Sequence, residues 1–221
     1  MLIGQKRVTV DGVVASVGDR VSVDSVVEVD GVRLPIDPEF VTWLLYKPSG
    51  VVSTMSDPQG RPTVKDLVPP EPVTRPVGRL DLHSEGLLLM TNEGSLANAV
   101  THPRYGVPKT YHVLVPRRLK DSDLAPLLEG IELDDGLAKA QSTRVVTSSK
   151  DRCIVELVMT EGKKREIRRM FEALGLPISS LVRVRIGTIT DRSLTPGTYR
   201  ALTLEEVRSL YQIAGQEATH D

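Results

Sequence analysis

The side chains able to do chemistry in this chain are an acid, a phenol and a run of cations. Asp81 ends the turn-like segment Gly78-Arg79-Leu80-Asp81, with Leu80 and Leu82 on either side and the apolar run Gly86–Thr91 just beyond. A carboxylate between two leucines is partly desolvated, and desolvation opposes charge. It must find a cation or donors, or else change its pKa. An acid at a turn can also do no more than cap the chain. Tyr111 lies in the alternating segment Pro108–Val115, where a core tyrosine with a satisfied hydroxyl is the ordinary outcome. Lys163-Lys164-Arg165 and Arg168-Arg169 concentrate charge, and residues 160–185 carry a net +4. Such a patch can neutralise phosphates. It can equally be a solvated helix face with i, i+4 pairs such as Arg168–Glu172.

Strands and short helices must position these groups. Val8–Val10 and Val13-Val14 flank Asp11-Gly12 and read as a hairpin. Val21–Val23 and Val26–Val29 continue the pattern, and Asp30-Gly31 supplies a second turn. Pro35-Ile36-Asp37-Pro38 reads as a linker. Phe40–Tyr46 is a strand stopped at Lys47-Pro48-Ser49-Gly50. Residues 53–77 form an irregular loop with a short helix at Val64–Leu67, and Arg61 and Lys65 are its surface charges. After the strand Gly86–Thr91, Asn92 is positioned to cap a helix over Ser95–Val100. Residues 121–129 form a helix with Leu124, Leu127 and Leu128 inward. A strand-loop-strand excursion follows at 131–150, then the strand Arg152–Met159. Ile167, Met170, Phe171 and Leu174 make one helical stripe ending at Gly175. Leu181–Ile186 and Tyr199–Leu202 are strands. Thr203 and Glu206 form a capping box for a last helix with Leu204, Val207, Leu210 and Tyr211 inward, fraying from about residue 215. Strands with interspersed helices and hairpin-like links imply an α+β fold on a mixed, largely antiparallel sheet.

Composition narrows the function classes. The chain has 221 residues, 40% hydrophobic and 26% charged, ordinary for a globular protein. A net charge of −1 gives no whole-chain field for nucleic acid, so an RNA surface must be local. Cys153 is the single cysteine, which excludes an internal disulfide and fits a reducing compartment. It sits in an alternating apolar run as a small buried side chain. No histidine stands at metal-ligand spacing from it, and His102 and His112 are structural or surface residues. No membrane-length apolar stretch and no signal-peptide region occur. There is no glycine-rich phosphate loop and no dinucleotide fingerprint.

Several segments, in order, carry a resemblance. Gly78-Arg79-Leu80-Asp81 with Ser84-Glu85-Gly86-Leu87-Leu88-Leu89 resembles the active-site signature of RNA pseudouridine synthases of the RsuA type, in its large-subunit branch. Lys47-Pro48-Ser49-Gly50 is similar to that family's K-P-x-G segment, and Lys109-Thr110-Tyr111 to its K-x-Y motif. Glu161–Met170 is similar to E-G-K-x-R-x-[IV]-R-R-M, and Leu181–Gly187 to L-x-R-x-x-I-G. Residues 1–37 resemble the second half of an S-four RNA-binding domain without its opening helices, as a shortened chain or a downstream start would leave it. Acidic residues outnumber basic ones there. The catalytic domain is then expected over 38–221.

The resemblance implies isomerisation of uridine to pseudouridine in ribosomal RNA of the large subunit. It gives Asp81 as the catalytic carboxylate, attacking the sugar or removing a ribose proton. Tyr111 faces the base, and Arg168 pairs with Asp81. Arg79, Lys109, Lys164, Arg165 and Arg169 are the expected RNA contacts. No cofactor, no metal and no membrane partner are expected, and the protein is expected to be a cytoplasmic monomer. Competing readings are a non-catalytic RNA-binding or ribosome-assembly protein on the same scaffold, and a small-subunit enzyme.

Overall fold

A computed structural model describes residues 2–19, 21, 25–34 and 40–217. Near the N-terminus, β1 (Val8–Val10) turns into β2 (Val13–Val14) and β3 (Val27–Val29) into β4 (Val32–Leu34). They pair in the order β2-β1-β3-β4. Both turns have positive φ at both central residues, 52° and 82° at Asp11-Gly12, 55° and 77° at Asp30-Gly31. That handedness matches the twist of paired strands. Val8, Ala15 and Val29 make the small core beneath. The expected strand at Val21–Val23 lies, apart from Val21, outside the described residues, as does the linker Pro35–Pro38.

The remaining elements are β5 (Thr42–Lys47), β6 (Arg75–Pro76), β7 (Glu85–Thr91), α1 (Gly94–Thr101), β8 (Lys109–Val115), α2 (Ala125–Glu129), β9 (Ile131–Leu133), β10 (Gly136–Ala138), β11 (Ser142–Ser148), β12 (Cys153–Met159), α3 (Glu166–Ala173), β13 (Ser180–Ile186), β14 (Tyr199–Ala201) and α4 (Leu204–Glu217). β9 and β10 form their own hairpin. The large sheet runs β11-β12-β8-β13-β7-β5-β14, with β6 also on β7. Its ladders are antiparallel except β13 with β7. This is the mixed, largely antiparallel α+β sheet that the strand pattern implies.

Packing explains the strand sequences. β12 alternates buried and half-buried residues because one of its faces meets α2 and α3, through Leu124, Leu127, Ile167, Met170 and Phe171. β7 is buried from Gly86 onward because it is covered on both faces. Leu87 and Leu89 meet α1 and α4, while Leu88 and Met90 meet Val51, Val64 and Leu80 of the loop side. α4 also adjoins β4, and Asp30 accepts from both Arg7, at 2.6 Å, and Arg208.

Some local expectations are corrected. Leu128 is 37% exposed and Leu204 66%. A 3-10 turn at Asp121–Leu124 precedes α2, so the inward residues are Leu124 of the turn and Leu127 of α2. Leu204 opens α4 ahead of the packed turns. Asn92 does not cap α1: its Oδ1 accepts from Val41 N at 2.8 Å, and Glu93 takes the cap position. α4 is helical as far as Glu217, and residues 218–221 lie outside the described residues. The capping box Thr203/Glu206 is formed, and Cys153 is a buried free thiol.

Candidate active site

The acid is held by its backbone. Leu80 is 6% exposed and packs with Leu45, Val51 and Leu88. Ser53 Oγ donates to Leu80 O at 2.9 Å and accepts from Leu80 N at 3.1 Å. Ser84 N closes a turn on Asp81 O at 3.0 Å, and Gly50 N donates to Leu82 O at 2.8 Å. Lys47 Nζ, fully buried, donates to Ser84 O at 2.8 Å and Pro48 O at 2.9 Å. Gly78, at φ 72°, supplies the bend that a side chain would resist. Asp81 itself is half-buried.

Asp81 lines a cleft of about 400 Å³ with Ser84, Tyr111, Leu181 and the stretch Glu161–Arg168. Tyr111 arrives on β8, opposite Arg183 of β13 in the ladder. Arg168 arrives on the first turn of α3. The chain thus gathers Asp81, Tyr111 and Arg168 from three separated segments into one cleft, and Arg79, Lys164 and Arg165 border it as well. Lys164, Arg165 and Arg79 are exposed. Arg165 holds a left-handed φ of 52° at the cap of α3, a conformation costing roughly 1 kcal/mol or more for a non-glycine residue.

The expected direct ion pair between Arg168 and Asp81 is not made. Arg168 Nη2 donates instead to His83 O at 3.0 Å and Ser84 Oγ at 3.5 Å. The turn after Asp81 presents that carbonyl to α3, so the guanidinium grips the acid's loop rather than its carboxylate. Burial lowers the Arg168 pKa, Arg165 lowers it further, and the negative charge of Asp81 opposes both. The charges therefore sense one another across the cleft without contact. No Arg168–Glu172 pair forms either.

Two expected RNA contacts are otherwise engaged. Arg169 makes a two-pronged pair with Asp135, both contacts at 2.8 Å, at the β9–β10 turn. Lys109 Nζ donates to Val100 O at 2.9 Å, and burial brings its pKa down to about 8, with Arg183 pushing the same way. Its ammonium is turned toward the last turn of α1, whose Val100 carbonyl it bonds. His112 joins Glu156 and Arg144 on the surface, and His102 Nδ1 accepts from Arg104 N.

Sequence reasoning missed four residues around the cleft. Lys47 and Arg183 are buried cations, Ser53 is the clamp on Leu80, and Glu166 is 4% exposed. Glu166 Oε2 accepts from Lys163 N at 3.0 Å, its Oε1 has no partner among the described residues, and burial raises its pKa. The alternation in Leu181-Val182-Arg183 carried a signal, since Arg183 shares the parity of buried Leu181. Ser53 lay in a loop with no periodicity to mark it.

The model of the family "RNA pseudouridylate synthase" matches residues 41–173. The chain belongs to the RNA pseudouridylate synthase family. It is 43% identical to an uncharacterized RNA pseudouridine synthase of Mycobacterium leprae (strain TN), over 97% of this chain and 86% of the relative. It is 38% identical to the ribosomal large subunit pseudouridine synthase B of Yersinia pestis, over 96% and 70%. A crystal structure of a pseudouridylate synthase superposes with a TM-score of 0.69 at 28% identity, covering 95% of this chain and 90% of that one. The matched family segment ends at Ala173, so it contains Asp81, Tyr111 and Arg168 while β13 and Arg183 lie beyond it. As an RNA pseudouridine synthase the chain is an isomerase. Among the described residues no helix is long and apolar enough to cross a membrane.

Proposed function

We propose that the protein converts uridine to pseudouridine in ribosomal RNA of the large subunit, with Asp81 as the carboxylate that acts on the ribose. The reading rests on one observation: an acid, a tyrosine and an arginine from distant segments share a single cleft rimmed by exposed cations. The reaction breaks the N-glycosidic bond, turns the base and forms a C–C bond. It asks for an ionised carboxylate, a ring against which an extruded base can rest, and a grip on phosphate. Asp81, Tyr111 and the pair Lys164/Arg165 answer these in turn. Arg168 positions the loop that carries Asp81. Named relatives acting on the large ribosomal subunit support the choice of substrate. Residues 1–37 and 38–221 serve as an RNA-docking unit and a catalytic unit, in a cytoplasmic monomer.

The test is Asp81→Asn, which keeps shape and removes charge. Pseudouridine formation in unmodified large-subunit RNA, followed by carbodiimide mapping, is expected to disappear, while RNA affinity stays within about twofold because base-level chemistry, not phosphate contact, is lost. Substantial turnover by the variant would overturn the assignment.

A further inference from the structure

A second chamber of about 410 Å³ adjoins the first. The two share Gly78, Arg79, Thr101, Tyr111 and the stretch Glu161–Lys163, but Asp81 lines only the first, while Lys109 and Arg183 line only the second. Arg183 is 4% exposed. Its Nε donates to Leu87 O at 2.6 Å. Its Nη2 is buried with no partner, and Nη1 makes no hydrogen bond among the described residues. A buried guanidinium with free donors is costly unless something completes it. The Arg183 Cζ lies 6.0 Å from the Tyr111 ring centre, and Lys109 is close enough for the two cations to repel. Nothing so far described uses this pair.

We infer that Arg183, with Lys109, holds the negative oxygens of the uracil after it has left the ribose and while it turns. The inference rests on the proposed isomerase reading. When the C1′–N1 bond breaks, both electrons stay with the base, and the uracil becomes an anion with its charge shared among N1, O2 and O4. The sugar is left bonded through C1′ to an Asp81 oxygen, or has lost its C2′ proton to that carboxylate. Either route yields the same base anion. The base turns and C5 supplies the electron pair of the new C1′–C5 bond, as the C1′–O bond to Asp81 breaks or as Asp81 returns its proton to C2′. The C5 proton then passes to water and N1 takes one up, which leaves a neutral base and a free carboxylate. Between these events the anion needs donors that do not also hold the sugar. Tyr111 borders both chambers, so a base freed beside Asp81 reaches Arg183 without leaving the protein. A phosphodiester fits the place less well. Its neighbours on the strand must stay at the rim, where Lys164 and Arg165 are, whereas Arg183 lies within the sheet.

The deciding variant is Arg183→Gln, assayed with uridine and 5-fluorouridine at the target position of a large-subunit RNA fragment. Single-turnover loss of the starting nucleoside is read by nuclease digestion and mass spectrometry, and affinity by filter binding. The 5-fluoro base ends C5-linked with its fluorine retained and water added at C6, because it has no C5 proton to lose. On uridine the rate is expected to fall about 100-fold, the usual effect of deleting one donor to a developing anion, with affinity unchanged within about twofold. Fluorine stabilises the departing anion by itself, so the loss on 5-fluorouridine is expected to be at least about fivefold smaller. A rate within about threefold of wild type, an equal loss on both bases, or a weakened affinity that accounts for the whole loss would each overturn the inference. If Arg183→Gln shows no cooperative melt, Lys109→Gln takes its place and must show the same dependence on the leaving base, or the inference fails. Wild-type protein inactive on uridine would instead sink the isomerase reading itself.

Discussion

Gly86 shows how little freedom single residues have around the cleft. It has φ 103°, and a Cβ there would lie 2.2 Å from Arg183 O and 2.7 Å from Arg183 N. The neighbours are backbone and cannot rotate away. Gly86→Ala is therefore expected to cost at least about 3 kcal/mol in urea unfolding, at the large end for one substitution, since it combines strain with a clash at the β7–β13 pairing. A loss below about 1 kcal/mol would show that the strands can separate. Arg168 works by position: it grips His83 O and leaves the carboxylate of Asp81 free. Arg168→Met is expected to slow single-turnover isomerisation about 100-fold, the scale of a small misplacement of a reacting group. RNA affinity should change little. An unaltered rate would mean that the loop holds Asp81 without it.

The elements that set Asp81 are a strand, a loop and a helix end. The loop from Pro48 to Val68 contributes through one hydroxyl, because Ser53 meets both backbone groups of Leu80. Ser53→Ala leaves a buried N–H and C=O unpaired, which is expected to cost about 2 kcal/mol. Thermal melting should register that loss, and the isomerisation rate should fall with it as the Asp81 segment loosens. A melt unchanged from wild type would show that other groups replace the hydroxyl. Periodicity made the elements readable: β12 alternates, α3 carries its stripe at Ile167, Met170 and Phe171, and the 3-10 turn at Val64–Leu67 falls where expected. Leu128, Leu204 and Asn92 were misjudged because each depends on how an element's first or last turn meets its neighbours, which spacing does not encode.

For the molecule as a whole, buried cations set the pH behaviour. Burial brings Lys47 down to about 8 from 10.5, against the pull of Glu85 and Asp81, and with Arg183 acting as burial does. Between those values the unfolded chain binds the proton and the folded chain does not, so this group makes stability rise with pH. Relative to Lys47→Met, the urea midpoint of the wild type is expected to climb from about pH 8 to about pH 10; a constant gap between the two would show that Lys47 keeps its proton throughout. The sequence motifs located Asp81, Tyr111 and Arg168, which the fold then gathers. They did not reveal that Lys109 gives one of its donors to Val100 O and that Arg169 pairs with Asp135, nor that Lys47 is buried behind the Asp81 turn and Arg183 in the wall of the second chamber. Those facts come from burial and from how α1, α3 and the β9–β10 turn pack against the strands, which spacing along the chain does not show.

The order of strands has a temporal consequence. In the large sheet β8 meets β7 only through β13, whose residues emerge from the ribosome after both. A nascent chain released through Gly175 would already hold Asp81, Tyr111 and Arg168, yet its two half-sheets would have no seam. Assembly of the sheet is thus withheld until β13 has been made, and supplying residues 176–217 in trans is the way to see the halves knit.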